Sequence, residues 1–291
     1  MCGRAGCPGA ISENLQCAFR GCRRKWSSGL LPGTHFAFQE KILLLKFWLL
    51  GCGATTACRS IGHGKHAITD AYTAIRTAIG RHQRLAQESQ RYPDGAVLEA
   101  DETAMKQWKD ADKRGRVVWK SDVWIGVAGR GSPQTLLYHV GVRRTRVYKR
   151  FPNLKNSVWA TFFRKSVRGK MGDPKTVTIC TDGKPMYRPA KRNLGYAHFD
   201  VVHSKKQFWQ KHKRTGLQVA TQTIDARWRA LKRRSVRTTR AEYHTEEHVY
   251  AASWLTEHAG LCEKDLIAKA IAILRSEESP EVVKTPATGS P

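Results

Sequence analysis

The amino-acid sequence predicts an α/β protein in which a mixed sheet is flanked by helices. The first observation is a succession of short strand-like runs, at residues 96–102, 117–119, 123–128 and 135–140. The second is a nearly continuous apolar run at residues 177–180, as expected for a strand covered on both faces. The third is a group of segments with helical periodicity, at residues 218–233, 245–258 and 263–275.

The composition predicts a folded chain with an anionic partner. A length of 291 residues suits one large domain with small attachments, or two modest domains, and 41% hydrophobic residues supply a core. Lysine and arginine number 51 against 24 acidic residues, so the formal charge is +27. Such a surplus favours a polyanion, either nucleic acid or a membrane surface. Because the basic residues run through segments with folded patterns, nucleic acid is preferred.

The sequence contains no segment suited to crossing a bilayer. The most apolar run, residues 42–50, includes Lys46 and is far shorter than the roughly 20 residues of a spanning helix. The N-terminus has charge but no apolar region of the secretory type. We therefore expect no membrane partner and no secretion, with a location in the nucleus of a eukaryotic cell or the cytoplasm or nucleoid of a bacterium.

Residues 1–36 form a loop-rich segment that holds half of the eight cysteines. They form two C-x4-C pairs, which are Cys2 with Cys7 and Cys17 with Cys22. Two thiolate pairs suit tetrahedral Zn²⁺, although the usual ribbon spacing is the tighter C-x2-C. We expect a zinc-ribbon-like segment here; the alternative is a leader with incidental cysteines.

Residues 37–92 are predicted to be a helical DNA-binding region. Helical patterns at residues 39–50, 55–61 and 67–79 are separated by glycines, including the Gly62–His63–Gly64 turn. This order is that of a helix-turn-helix unit, and the alternative is a plain helical bundle that packs on the next domain. Residues 83–95 are predicted to be a polar linker.

Three acidic residues suggest a metal site in the predicted α/β domain, residues 93–275. Asp101 lies in the strand-like run V-L-E-A-D-E-T, Asp182 ends the run T-V-T-I-C-T-D, and Asp225 lies in the helical pattern T-I-D-A-R-W-R-A-L-K. Mg²⁺ takes oxygen ligands, and paired metal ions activate phosphoryl transfer when carboxylates converge from rigid elements. The order strand, strand, helix therefore favours a ribonuclease H-like core.

Each acid also has a structural interpretation. Asp182 precedes a glycine and could form a turn, while Asp225 could pair with Arg229 on a solvated helix face. Glu99 and Glu102 compete with Asp101 for the inward position, and strand alternation places Glu99 and Asp101 on one face and Glu102 on the other. An acid cluster within a sheet is costly to bury without a partner, which favours a metal.

The predicted helix that carries Asp225 also carries candidate contacts to DNA. Ile224, Trp228 and Leu231 follow helical spacing and should face the core, while Lys232 lies nearly on the face of Asp225. The basic region around them includes Trp209, which could stack on bases or pack inward. The candidate DNA-binding residues are Lys205, Lys206, Arg227, Lys232, Arg233 and Arg234.

Three sequence blocks together resemble the catalytic segments of Merlin-type DDE transposases and the related ISXO-type transposase domain of insertion sequences. The first two are V-L-E-A-D-E-T and T-D-G-K-P-M-Y, and the third is Y-A-H-F-D-V-V-H followed by A-T-Q-T-I-D-A-R-W-R-A-L-K-R. The similarity covers residues 15–260, including S-S-G-L-L-P-G-T-H-F, which is similar to the zinc-ribbon end of the family. Agreement of the blocks in order and spacing is more specific than any one block.

The resemblance implies that Asp101, Asp182 and Asp225 hold two Mg²⁺ or Mn²⁺ ions. The third block of the family usually reads H-T-N-x-I-E, whereas this chain has Gln222 for the asparagine and Asp225 for the glutamate. An aspartate reaches one methylene less far. His203 matches the histidine of the V-x-H segment, which implies a place near the active site; a structural role is the alternative.

The resemblance further implies a DNA transposase that works as an oligomer on paired transposon ends. Water would attack a phosphodiester, and the freed 3′-hydroxyl would attack target DNA. The alternatives are a catalytically inactive, domesticated DNA-binding protein and a structured-RNA nuclease with the same core. Residues 276–291, which are rich in Pro, Ser, Thr and Glu, are predicted to be a disordered tail.

Overall fold

The computed structural model describes eleven parts of the chain. They are residues 31, 35–145, 152, 154–170, 173, 175–184, 187, 195–201, 209–213, 215–236 and 246–276. The helices are α1 Phe38–Leu49, α2 Ala54–Ile61, α3 Lys65–Ser89, α4 Asn156–Phe162, α5 Gln222–Val236, α6 Glu246–Glu257 and α7 Glu263–Ser276. The strands are β1 Val97–Ala111, β2 Val117–Gly129, β3 Thr135–Thr145, β4 Thr178–Asp182, β5 Ala197–Val201, β6 Trp209–Lys211 and β7 Gln218–Ala220.

The chain divides into two compact units, residues 1–79 with 261–291 and residues 80–260. In the first unit, α2 ends at Ile61 and is capped by Gly62, whose φ of +83° is the left-handed conformation that closes a helix. Lys46 of α1 forms an ion pair with Glu263 of α7 at 2.7 Å. The order of α1, α2 and α3 agrees with the predicted helices; a DNA-reading role for them stays a prediction.

Helix α3 continues to Ser89, so the prediction of a polar linker from residue 83 is wrong for its first half. Two of the polar residues that suggested a linker, Gln83 and Gln87, are buried hydrogen-bonding groups in the second unit. Gln83 Nε2 donates to Glu257 Oε1 at 2.8 Å, and Gln87 Nε2 donates to the Thr135 carbonyl at 2.7 Å. Glutamines in these positions satisfy buried backbone and carboxylate groups, which composition alone does not indicate.

The second unit is built on a five-stranded sheet with the order β3-β2-β1-β4-β5. Strand β2 runs antiparallel to β1 and β3, while β4 runs parallel to β1 and β5. This mixed sheet confirms the predicted α/β class and is compatible with a ribonuclease H-like core. The strands β1 and β2 are longer than predicted, because the two runs at 117–119 and 123–128 form one strand and most of 106–116 extends the hairpin.

The two faces of the sheet pack against different helices. On one face Leu98 and Ala100 join a buried cluster with Trp159 of α4 and with Tyr187. On the other face Trp124 packs with α5 and α6, whose buried residues there include Ile224, Trp228, Leu231 and Val249. The predicted core positions of α5 are therefore confirmed. Within the described part of the chain, no helix has both the length and the apolar character needed to cross a membrane.

Gly126 allows α5 to approach the sheet closely. It lies opposite Asp101 in the β1–β2 ladder. A Cβ atom at this position would lie 2.6 Å from Trp228 Cζ2 and 3.2 Å from Ile224 Cδ1. Only a residue without a side chain therefore fits, and the first turns of α5 are held directly over the part of β1 that carries Asp101.

Candidate metal centre

Two neighbouring parallel strands bring three carboxylates together. Asp101 and Glu102 are consecutive in β1, and Asp182 is the last residue of β4. The pairing of Glu99 with Cys180, continued for two residues, places Asp101 beside Asp182. One oxygen from each of the three carboxylates lies within 4.8 Å of the others. We call Asp101, Glu102 and Asp182 the acid cluster; its all-oxygen donor set is of the type that hard divalent cations prefer.

Glu102 projects to the face of the sheet opposite that of Asp101, as strand alternation predicts. Only 5% of Glu102 is exposed, and Tyr187 donates its hydroxyl hydrogen to Glu102 Oε2. The Lys184 ammonium donates to Glu102 Oε1 and lies 2.8 Å from Asp182 Oδ2. Lys184 therefore links carboxylates from two strands and supplies one positive charge to the acid cluster.

The carboxylates of the acid cluster destabilise one another's ionised forms. Burial raises the pKa of Asp101 well above its usual value, and the charge of Glu102 raises it further. Burial also raises the pKa of Glu102, although Lys184 opposes that shift. The same carboxylates keep the pKa of Lys184 above its ordinary value despite burial. A perturbed set of titratable groups at a strand end marks a candidate functional site.

Asp225 lies in the first turn of α5, close to the acid cluster but outside its 4.8 Å group. Its charge adds to the rise in the pKa of Asp101, so the two carboxylates interact electrostatically. Thr221 Oγ1 donates to Asp225 Oδ2 at 3.4 Å. Lys232 also interacts electrostatically with Asp101. Burial lowers the pKa of Lys232, and the negative charge of Asp101 opposes that shift.

The remaining predicted site residues have varied surroundings. Arg227 donates from Nη2 to the Ser132 carbonyl at 2.8 Å, which fixes its guanidinium on the turn between β2 and β3. Gln222 and Arg233 are exposed on α5. Arg234 is half-buried, and burial together with Arg233 lowers its pKa. The predictions for Cys2, Cys7, Cys17, Cys22, His203, Lys205 and Lys206 lie outside the described residues.

Three side chains at the centre were not predicted from the sequence. Lys184 and Tyr187 follow Asp182 in T-D-G-K-P-M-Y, but their spacing gives no reason to direct them at Glu102. The sequence pattern indicates Glu99 only as a competitor of Asp101 for the inward position, not as a contact of α5. The one available signal was the presence of a lysine and a tyrosine just after a strand-terminal aspartate.

Comparison with known proteins identifies no family for this chain. No protein-family model matches the chain, and no curated protein is similar to it in sequence. Among solved structures, one to which the chain is similar is a pre-cleavage Mos1 transpososome, with 6% identity over 82% of this chain and 80% of that chain. The TM-score of 0.22 is too low for this likeness to carry an argument about fold or activity.

Proposed function

We propose that this chain is a DNA transposase of the DDE or DDD type, which cleaves DNA strands and transfers them at transposon ends. The observation that carries the proposal is the convergence of Asp101 and Asp182 from adjacent parallel strands, with Glu102 inside the same 4.8 Å group. Asp225 from α5 adds a third element in electrostatic contact with Asp101. Strand, strand and helix then supply the carboxylates, as in the resemblance drawn from the sequence.

Asp101, Asp182 and Asp225 are proposed to hold Mg²⁺ or Mn²⁺ in a two-metal site. The donor chemistry fits, because the carboxylates present only oxygen ligands and the Lys184 ammonium already compensates part of their charge. When bound, such ions lower the pKa of water and stabilise the attacking and leaving oxygens. Lys184 would withdraw from Asp182 to make that carboxylate available, and Lys232 would contact a DNA phosphate beside Asp101.

The proposed partner is double-stranded DNA, both as terminal inverted repeats and as target. The formal charge of +27 supports binding to a polyanion. The resemblance to Merlin-type and ISXO-type transposases supports a homo-oligomer on paired ends and a structural Zn²⁺ at the N-terminal cysteines. The protein would then be located with DNA, in the nucleus of a eukaryotic cell or the nucleoid of a bacterium.

The test is metal-dependent cleavage of duplexes that carry the inverted repeats flanking the gene. We expect Asp101→Asn and Asp182→Asn each to reduce nicking and strand transfer by at least about a hundredfold, since each removes a ligand. The matched control is Asp110→Asn, which changes an aspartate at the exposed end of β1 that pairs with Lys120. Wild-type cleavage by both acid-cluster variants would contradict the proposal.

A second candidate is a DNA-binding protein that has lost catalysis. It is favoured by the Lys184 ion pairs, which occupy two of the carboxylates, and by the position of Asp225 outside the 4.8 Å group. This candidate predicts DNA affinity that is unchanged by EDTA and no nicking with Mg²⁺ or Mn²⁺. Metal-dependent nicking that needs Asp101 would exclude it.

A further inference from the structure

Glu99 of β1 caps the first turn of α5, although the two elements are far apart in sequence. Its carboxylate accepts hydrogen bonds from the Thr223 backbone N–H at 2.6 Å and the Ile224 backbone N–H at 3.2 Å. The Thr223 hydroxyl donates to the same carboxylate at 3.0 Å. Only 1% of Glu99 is exposed. A buried carboxylate at a helix N-terminus satisfies free N–H groups and complements the helix dipole.

Arg130 extends this contact to the segment that leads into α5. Its Nε donates to Glu99 Oε1 at 2.7 Å. Its two terminal nitrogens donate to the carbonyls of Gln218 and Ala220 in β7. The backbone N–H of Arg130 donates to the Val97 carbonyl of β1 at 3.0 Å. One guanidinium therefore joins β1 to the strand that precedes α5, with the planar geometry that arginine offers.

This contact and the close packing at Gly126 act on the same turn of α5. Asp225 follows Ile224 directly, and its backbone N–H donates to the Thr221 carbonyl at 3.0 Å. The position of the Asp225 carboxylate is therefore set by the turn that Glu99 caps. Glu99 lies two residues before Asp101 on the same face of β1, so its cap orients Asp225 relative to Asp101.

We propose that Glu99 and Arg130 are positioning residues for the candidate metal centre, which fix the first turn of α5 on β1 and hold Asp225 beside Asp101. The part of this inference that concerns metal binding rests on the proposed function. Carboxylate ligands require placement within a fraction of an ångström, so a loosened first turn weakens the site. Glu99 contacts no acid-cluster carboxylate and acts through α5.

The test compares Glu99→Gln with a matched control, Glu257→Gln. Glu257 is also a carboxylate with several donors, because it accepts from Gln83, from the Thr135 backbone N–H and from Ser253. Both changes keep the side-chain shape and remove a charge. We expect each to lower Tm by a few degrees, because each weakens several hydrogen bonds to a buried carboxylate.

Two measurements separate positioning from stability. Hydrogen exchange of the amides at residues 222–226 should become faster in Glu99→Gln and stay unchanged in Glu257→Gln. The affinity for Mn²⁺, read from the electron paramagnetic resonance signal of the free ion, should fall about tenfold in Glu99→Gln alone, the scale of losing a supporting hydrogen bond. Arg130→Met should reproduce both effects, and Arg130→Lys should restore part of them.

Each outcome decides the inference. Unchanged exchange in Glu99→Gln would overturn it, and so would faster exchange with wild-type affinity for Mn²⁺. An equal loss of Mn²⁺ affinity in the two glutamine variants would show that Glu99 contributes only to stability, and it would also overturn the inference. If the wild-type protein binds no Mn²⁺, the proposed function fails, and the exchange data alone then support or overturn the fixation of α5 by Glu99.

Discussion

Two clusters of charged residues on one sheet balance their charges in different ways. The histidine cluster, formed by Asp122, His139 and Glu246, has an acceptor for each ring nitrogen. His139 Nε2 lies 2.7 Å from Asp122 Oδ1, and Nδ1 lies 2.9 Å from Glu246 Oε1. Trp124 Nε1 donates to Asp122 Oδ2 at 3.0 Å. The indole of Trp124 also stacks on the His139 ring.

The acid cluster has the opposite character. Its three carboxylates outnumber the Lys184 ammonium, which forms ion pairs with Glu102 and Asp182. Burial first, and then neighbouring carboxylates, raise the pKa values of Asp101 and Glu102. A balanced set of charges stabilises a fold, whereas an excess of negative charge in a desolvated place costs stability unless a cation binds. We therefore expect the histidine cluster to contribute to stability and the acid cluster to bind a cation.

The largest stability effect should come from the centre of the histidine cluster. Asp122→Ala removes the acceptor of both Trp124 and His139, and we expect it to lower the free energy of unfolding by about 2–3 kcal/mol. The control is Glu246→Gln, whose side chain is 46% exposed and whose loss should cost under about 1 kcal/mol. Urea denaturation measures both, and an equal cost for the two variants would contradict the assignment.

A smaller effect should appear as a pH dependence of stability. Burial lowers the pKa of His139, but its hydrogen bonds to Asp122 and Glu246 outweigh that cause and raise the pKa above 6.5. A raised pKa in the folded state means that the stabilisation is complete below about pH 6.5 and is lost as the pH rises through the folded-state pKa. The difference in unfolding free energy between wild type and His139→Gln should therefore shrink as the pH rises above about 6.5. A difference that grows over this range would contradict the account.

Much of the sheet could be predicted because its strands follow simple patterns. The apolar run that ends at Asp182 indicated a covered strand. Alternation placed Asp101 and Glu102 on opposite faces of β1, but it did not indicate that both carboxylates belong to one group of acids. The core positions Ile224, Trp228 and Leu231 followed from helical spacing alone. These features depend on local periodicity, which a single sequence records.

The contacts that complete the site could not be predicted, because they join residues distant in sequence. The cap of Glu99 on α5 and the ion pair of Lys184 with Glu102 depend on the order of the strands in the sheet. The spacing of residues in the sequence does not determine that order. The prediction of a linker at the end of α3 is wrong for a related reason. Gln83 and Gln87 resemble linker residues, and only their buried partners show that they belong to the helix. The structural role of a polar residue depends on the tertiary contacts that it makes.

The most direct test of the metal centre is a titration of Mn²⁺ into wild type, Asp182→Asn and Lys184→Met. We predict that wild type binds Mn²⁺, that Asp182→Asn loses at least about tenfold in affinity, and that Lys184→Met gains about tenfold, since the methionine removes a cation that competes for Asp182 and Glu102. A free-ion signal that is the same for all three proteins would contradict the claim that the acid cluster holds a divalent metal.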